Sequence, residues 1–455
     1  MTAQTSVPRR LGAPRRHRRL GAAPTLAALW TGAVAVVFLW WHDTPAVSGL
    51  AEWLINAGRI TGLLSGYLVV VLLALMARVP ALERGVGTDR LARWHAMAGR
   101  YTVCLVVAHA LLITWGYAVA AHQNVIRQTG SLLLSYPDVL MATAAMGLLV
   151  LVGITSARSA RRKVSYETWH LVHLYTYLAI ALAFSHQFAT GADFTRNLPA
   201  RVLWSAMYVV VGAALLWFRA ARPVVQALRH RLRVVAVREE SADTVSVWVS
   251  GRDLDELGAE PGQFFRWRFL TRGMWWAANP YSLSAPPEPD LLRITARHAG
   301  DHSRGLAGLQ PGTRVLAEGP YGAFTSARRR RRKVLFLAGG VGVTPIRALF
   351  ESLPGRPGDL TLIYRARDAA DLVFRDELER IARQRGAHLF YLLGPRGHAR
   401  RRDPLSAAEL VRLVPDLRQH DVYLCGPPGM TDHARTQLNK AQVPRRQIHH
   451  ESFTF

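Results

Sequence analysis

His95 and His109 close the stretch HAMAGRYTVCLVVAH, and His170, His173 and His186 lie in YETWHLVHLYTYLAIALAFSHQF. Both stretches are apolar enough for lipid. A lone histidine in such a setting is usually a hydrogen bonder between packed helices. Four at two matched levels suit a different chemistry. In a helix the step from His95 to His109 covers about 21 Å and returns within roughly 40° of the same face. A neutral imidazole is a good axial ligand to iron, so one from each helix at each level suits two bis-His haems. The pairs are then His95 with His173, and His109 with His186. His170 is the rival inner ligand, or a hydrogen bonder behind it. The step from His173 to His186 is about 140° off a common face, so a bend, a π-bulge or a different wrap is expected there. Arg100, past His95, needs a partner such as a haem propionate, or snorkels to the interface.

Imidazoles from two helices meet only if the helices are held side by side. Six segments are long and apolar enough to cross a bilayer: 24–42, 60–79, 95–118, 138–156, 166–188 and 200–218. The first ends in Trp40, Trp41 and His42 with no small-residue cleavage site, so it reads as an anchor. On one side of a six-span bundle the connections are arginine-rich. They are PRRLGAPRRHRR near the start, then Arg78, Arg84, Arg90 and Arg93, then ARSARRK at 157–163, then Arg219, Arg222, Arg229, Arg231 and Arg233. The other side holds Arg127, Arg196 and the boundary residue Arg59. That asymmetry expects both termini in the cytoplasm of a multi-pass plasma-membrane protein. It also accounts for much of the net charge of +26. Membrane lipid is then a partner, and no nucleic-acid-binding module accompanies the charge.

Two cysteines, Cys104 and Cys425, are too few for a Cys-ligated iron–sulfur cluster or a disulfide framework.

From about 231 the pattern changes to short strands. LRVVAVREESADTVSVWVSG reads as two strands around a turn, followed by PGQFFRWRFL, NPYSLSAPP at 279–287, LLRITARHAGDHSRGL at 291–306 and GTRVLAEGPYGAFT at 312–325. The run RRRRRK at 328–333 reads as a solvated linker, or as a contact with anionic lipid. Then VLFLA reads as a buried parallel strand, GGVGVTP as a glycine turn and IRALFESL as a helix. Strand, glycine turn and helix are what a dinucleotide phosphate needs, with Gly339, Gly340 and Gly342 leading to Thr344 and Pro345. TLIYRARDAADLVFRDEL puts Arg365 and Arg367 just after a strand, and DVYLCGPPGMTDHARTQL is a further strand, turn and helix.

In this order the segments resemble the ferric reductase and NADPH oxidase superfamily, over about residues 60–455. The soluble half resembles the ferredoxin reductase FAD and NAD(P)H module. Pro280, Tyr281 and Ser282, followed by Leu283 and Ser284, match its flavin strand, with Asn279 where that family carries Arg or His. The resemblance implies Tyr281 and Ser282 against the isoalloxazine and ribityl chain, and Gly300, His302 and Ser303 near the pyrophosphate. It implies NADPH at the glycine turn, with NADH possible. Arg365 and Arg367 would favour a 2′-phosphate, with no acidic residue in that turn to bind a ribose diol. Cys425, Gly426 and Pro427 would lie near the nicotinamide, and Phe455 over the flavin.

The fold class expected is therefore multi-domain. A basic arm at 1–23 precedes a six-helix transmembrane haem domain at 24–220. An antiparallel β-barrel FAD domain follows at 229–327, then an α/β parallel-sheet nucleotide domain at 333–455. The activity implied is electron transfer from cytoplasmic NADPH through FAD and two b-type haems to an outside acceptor. A ferric chelate, dioxygen or a periplasmic protein would serve. The competing reading is a flavin reductase module on a non-haem membrane anchor.

Overall fold

The computed structural model describes residues 21–157, 166–195, 197–394 and 403–451. The basic arm up to residue 20, most of ARSARRK, Arg196 and Phe455 lie outside the described residues. The chain forms two compact units, one of Leu20–Leu82 with Arg90–Ala220, the other including Glu83–Asp89 and Ala221–Phe455.

The first unit is helical. Its long helices are α1 (Ala22–His42), α2 (Gly49–Met76), α3 (Thr88–Ala120), α4 (Val139–Ser156), α5 (Tyr166–Thr190) and α6 (Leu198–Leu216). None has a proline beyond its first turn, so no backbone bond is lost along its length. Five helices among the described residues are long and apolar enough to cross a membrane: α1, α2, α3, α4 and the run Leu198–His230 that begins with α6. α5 is as long, at 25 residues, but its histidines and tyrosines make it more polar. α2 begins at Gly49, well before the expected residue 60, so Arg59 stands inside a helix rather than at its edge. Trp30, Phe38, Leu111, Leu140 and Val209 are exposed on the outside of the unit. An apolar exterior is what lipid requires, and these helices mark the chain as a membrane protein.

Small residues let the helices approach. Gly58, Gly62 and Gly66 lie one helical turn apart on α2. A Cβ at Gly58 would sit 2.7 Å from Ile113, one at Gly62 2.7 Å from the His109 ring, and one at Gly66 2.9 Å from Trp204. This is the small-residue face that close helix packing in a membrane demands.

The second unit begins with two three-stranded antiparallel sheets. One has the order β1 (Arg233–Ser241), β2 (Thr244–Ser250), β5 (Leu291–Arg297). The other has the order β4 (Asn279–Ser282), β3 (Phe264–Phe269), β6 (Val315–Tyr321). Isolated bridges join Leu283 to Ile294 and Arg233 to Arg314, so both edges of one sheet touch the other. Phe265, Trp267, Leu283, Leu292 and Ile294 fill a core common to both sheets.

A five-stranded parallel sheet follows, in the order β11 (Ile448–Glu451), β10 (His420–Cys425), β7 (Lys333–Gly339), β8 (Leu360–Ala366), β9 (His388–Leu393). The central β7, VLFLAG beyond its first residue, is buried throughout, as expected of a strand covered on both faces. The helices used below are α7 (Arg222–His230), α8 (Val343–Ser352), α9 (Arg375–Arg385) and α10 (Pro428–Lys440). The chain lays β8 and β9 on one side of β7, then β10 and β11 on the other. The strand order therefore switches between β7 and β10, and ligands of such sheets bind at the carboxyl ends beside that switch.

Candidate functional site

In the helical unit the structure brings the histidines of α3 and α5 together two by two. The ring centroids of His95 and His173 are 6.0 Å apart, and those of His109 and His186 are 6.4 Å apart. A metal held by one nitrogen of each ring needs two bonds of roughly 2 Å and, on each side, roughly 1 Å more to the ring centre, about 6 Å in all. Both pairs fit that separation. His170 is exposed, its ring 6.4 Å from that of Trp169, which stacks on His173 with centroids 5.2 Å apart. α5 is α-helical throughout, without the π-turn that the off-phase step from His173 to His186 could have used. Arg100 is exposed.

The sequence reading missed what holds these rings. His95 Nδ1 lies 3.2 Å from the Leu72 carbonyl oxygen, and His109 Nδ1 lies 2.8 Å from that of Gly58. A ring that donates from Nδ1 keeps its Nε2 lone pair for a metal. His186 Nδ1 has the Thr190 hydroxyl at 3.1 Å. His173 Nδ1 is buried without a hydrogen-bond partner among the described residues. The glycines spaced by four on α2 were the available signal.

In the second unit, β4 pairs with β3 so that Tyr281 lies opposite Phe265 and Ser282 opposite Phe264. Trp267 Nε1 donates to the Tyr281 carbonyl oxygen at 3.0 Å. Burial raises the Tyr281 phenol to about 12. Ser282 Oγ and Asn279 Nδ2 are buried and without a hydrogen-bond partner among the described residues, as on a strand made to receive a polar ligand. Leu283 is fully buried in the core, and Pro280 lies on β4 between Asn279 and Tyr281. Ser284 is committed elsewhere, its Oγ accepting from Arg293 Nε at 3.2 Å and from Thr295 at 2.8 Å. Ser303 is also spent locally. Its Oγ accepts the N–H groups of Ala299 and Gly300 at 2.8 and 3.1 Å and donates to the Gly300 carbonyl. His302 sits in the same turn, and burial pushes its imidazole below the ordinary value.

At the switch point two turns pack backbone on backbone. A Cβ on Gly342 would lie 2.4 Å from the Cys425 carbonyl oxygen, and one on Gly339 would lie 2.1 Å from Met430 Sδ. Gly340 has φ +52°, a conformation that favours glycine. Thr344 Oγ1 donates to Val341 O at 2.9 Å, and Pro345 is buried in the first turn of α8. Gly426 and Pro427 follow β10 and lead into α10.

Three observations bear on the expected nucleotide contacts. Cys425 is fully buried in the core of the parallel sheet, and burial, then Glu451 and Asp89, raises its thiol well above the usual value. It is a packed group, not an accessible thiol. Arg365 is bound to main-chain carbonyls, Leu392 O at 2.9 Å and Gly394 O at 2.6 Å among them. Only Arg367 is exposed. The turn does contain acids: Asp371 pairs with Arg367 at 2.7 Å, and Asp368 accepts the Asp371 N–H at 3.1 Å.

Comparison with known proteins agrees with this division. Residues 61–184 match the family described as ferric reductase like transmembrane component, and residues 336–436 match the oxidoreductase NAD-binding domain. The chain therefore joins a ferric reductase-like transmembrane component to a ferredoxin reductase-type oxidoreductase module. An NADPH oxidoreductase of Mycobacterium tuberculosis is 29% identical over 51% of this chain and 62% of its own length. Ferredoxin–NADP reductase B of Sorangium cellulosum is 28% identical over 50% of this chain and its full length. The cytochrome P450 reductase of Amycolatopsis is 26% identical, covering 50% of this chain and 70% of its own, with a TM-score of 0.42. The chain thus spans less than two thirds of the mycobacterial relative.

Proposed function

We propose that this protein is an NAD(P)H-dependent transmembrane oxidoreductase. It would move electrons from cytoplasmic NADPH to a one-electron acceptor on the other side of the membrane, a ferric chelate or dioxygen. The reading takes α5 as a sixth span and both termini as cytoplasmic, in the plasma membrane. It also takes the two bridged antiparallel sheets as one flavin-binding barrel.

The observation that carries the reading is the pair of imidazole pairs, 6.0 and 6.4 Å between centroids. His95 and His173 would hold one haem, His109 and His186 a second. The carbonyls of Leu72 and Gly58 fix the tautomers on α3. Along α3 the two levels are about 21 Å apart, most of the hydrocarbon thickness of a bilayer.

FAD would supply the exchange between a hydride and single electrons, and the haems one-electron transfer. The chain's residues do the rest. Tyr281 offers an aromatic face fixed by the β3 pairing, and Ser282 and Asn279 offer unpaired polar atoms to the flavin chain. Gly339 and Gly342 let the two turns pack closely, Gly340, where a Cβ would meet nothing within 4 Å, leaves room for a nucleotide phosphate, and the N-terminal end of α8 gives it N–H groups and a favourable dipole. Arg367 offers an exposed positive charge to a 2′-phosphate once Asp371 yields it.

The test is anaerobic. NADPH is added to purified, FAD-supplemented protein and the visible spectrum is followed. Growth of reduced b-type haem bands supports the connected path. Haem that dithionite reduces but NADPH does not would refute the nucleotide or flavin part. Well-folded, haem-supplied protein without haem bands would favour a flavin reductase on a non-haem anchor. Air and then a ferric chelate rank the acceptors.

A further inference from the structure

One carboxylate in the second unit stands between two buried guanidinium groups. Glu377, on α9, receives Arg293 Nη1 and Nη2 at 2.9 and 3.0 Å, and Arg347 Nε at 2.7 Å. Arg293 and Arg347 are 6% and 4% exposed. Both also donate to a single acceptor, the Ser284 carbonyl, at 2.9 and 3.0 Å. The Arg293 guanidinium lies over the Phe374 ring, 4.7 Å from its centroid.

The places of these residues matter more than their number. Ser284 lies two residues past Ser282, at the end of the segment that carries Tyr281. Arg293 is on β5, the strand bridged to that segment at Leu283 and Ile294. Arg347 is on α8, one turn beyond the glycine turn. Glu377 is on the helix that follows Arg367. A single carboxylate thus ties the flavin strand, the phosphate-side helix and the adenosine-side loop to one carbonyl oxygen. Arg347 keeps Glu351 at 2.8 Å, so removing Glu377 leaves the buried Arg293 as the cation without a carboxylate among the described residues, and cuts the link between Arg293 and Arg347.

We propose that Glu377 is a positioning residue: with Arg293 and Arg347 it sets the register between the flavin strand and the nucleotide helix, and so the approach of the nicotinamide to the flavin. This rests on the proposed NAD(P)H–flavin reaction. Glu377 touches neither reactant. Its effect is geometric, and a displacement of about an ångström can cost up to a hundredfold in rate.

The experiment is stopped-flow flavin reduction under anaerobic conditions, with NADPH and with 4-deuterated NADPH, in wild type, Glu377→Gln and Glu377→Asp. Flavin content and dithionite reduction serve as controls for folding. The expected result for Glu377→Gln is full flavin content, hydride transfer slowed by about tenfold or more, a weakened nicotinamide–flavin charge-transfer band and an altered isotope effect. If Glu377→Gln loses its flavin, Glu377→Asp decides, since it keeps the charge and shortens the reach by one methylene. A flavin-replete variant with the wild-type rate, charge-transfer band and isotope effect overturns the inference. Wild-type protein reduced by neither NADPH nor NADH overturns the functional reading itself, and the inference with it.

Discussion

The Nδ1 atom of His109 lies 2.8 Å from the carbonyl oxygen of Gly58. The same relation recurs at the other level, where His95 Nδ1 lies 3.2 Å from Leu72 O. α2 and α3 are antiparallel neighbours, and the step from Gly58 to Leu72 equals that from His95 to His109. One helix therefore carries two rings and the next carries their two anchors, in matching register. Each anchor does two things. It fixes which nitrogen holds the proton, and it keeps the ring from turning toward lipid.

Gly62 makes the outer anchor possible, because a Cβ there would fall 2.7 Å from His109 Nδ1. On the proposed bis-His reading, Gly62→Val should move the ring off the Gly58 carbonyl and lower the haem content from two per chain toward one. His109→Ala should remove the outer haem outright. Both variants should keep NADPH-driven flavin reduction. Haem per flavin, counted from the alkaline pyridine spectrum, is the measurement. Two haems per chain in His109→Ala would show that His109 is not a ligand.

Spacing along a helix set the matched depths of the histidines but not the choice of His173 over His170, since the step from His173 to His186 is about 140° off a common face and the step from His170 is no better aligned. The anchors could not be read that way. Backbone carbonyls have no sequence signature, and the glycines that admit the rings resemble any small-residue face. Among the strands, NPYSLS was legible only from its place in the order of segments, since an aromatic–serine pair alone is an ordinary strand end. The commitment of Ser284 and Ser303 was not, since a serine carries no mark of what its hydroxyl will bind. Arg365 was ambiguous for a related reason: an arginine after a strand suits a phosphate, but equally caps nearby carbonyls.

Arg59 and Asp193 form an ion pair at 2.5 Å, with side chains 15% and 4% exposed. It ties α2 to the short helix that follows α5, so it holds together the helices bearing Gly58 and His186. Asp193→Asn keeps the shape and leaves the guanidinium unneutralised. Breaking one partner of a buried pair costs about 3–5 kcal/mol. The detergent-solubilised protein should melt several degrees lower, and Arg59→Gln with Asp193→Asn should recover much of the loss. An unchanged melting temperature in the single variant would place the pair in water rather than in the interior.

Arg365 and Arg367 should separate cleanly. Arg367 is exposed and, among the described residues, is paired across its own turn with Asp371. Arg367→Ala should raise KM for NADPH several-fold, leave KM for NADH nearly unchanged and spare kcat, read by ferricyanide reduction. Arg365→Ala should act on stability, since its guanidinium satisfies the carbonyls of Leu392 and Gly394. Equal loss with both nucleotides in Arg367→Ala would deny it a role at the 2′-phosphate.

Glu451 and Glu377 predict opposite pH responses. Glu451 is deeply buried on β11 beside Cys425; burial, reinforced by Asp89, raises its carboxyl well above the usual range. Its folded form therefore holds a proton that the unfolded chain has released. As pH rises above the ordinary value of 4.5 the unfolded state binds fewer protons than the folded one, so stability falls until the folded carboxyl also ionises. Glu377 behaves the other way. Burial would raise its carboxyl, but the Arg293 hydrogen bond and the charges of Arg347 and Arg293 outweigh it and hold the carboxyl below 4.5. Its contribution is present above that pH and is lost as pH falls through the folded value. Glu451→Gln should thus be neutral near pH 4, stabilise the second unit at pH 7 to 8, and flatten the alkaline decline. Glu377→Gln should destabilise at neutral pH and much less in acid. Unfolding of the flavin-loaded protein, followed by flavin fluorescence from about pH 3 to about pH 8, reads both. A Glu451→Gln protein no more stable than wild type at pH 8 would mean that the carboxylate is already ionised and paired.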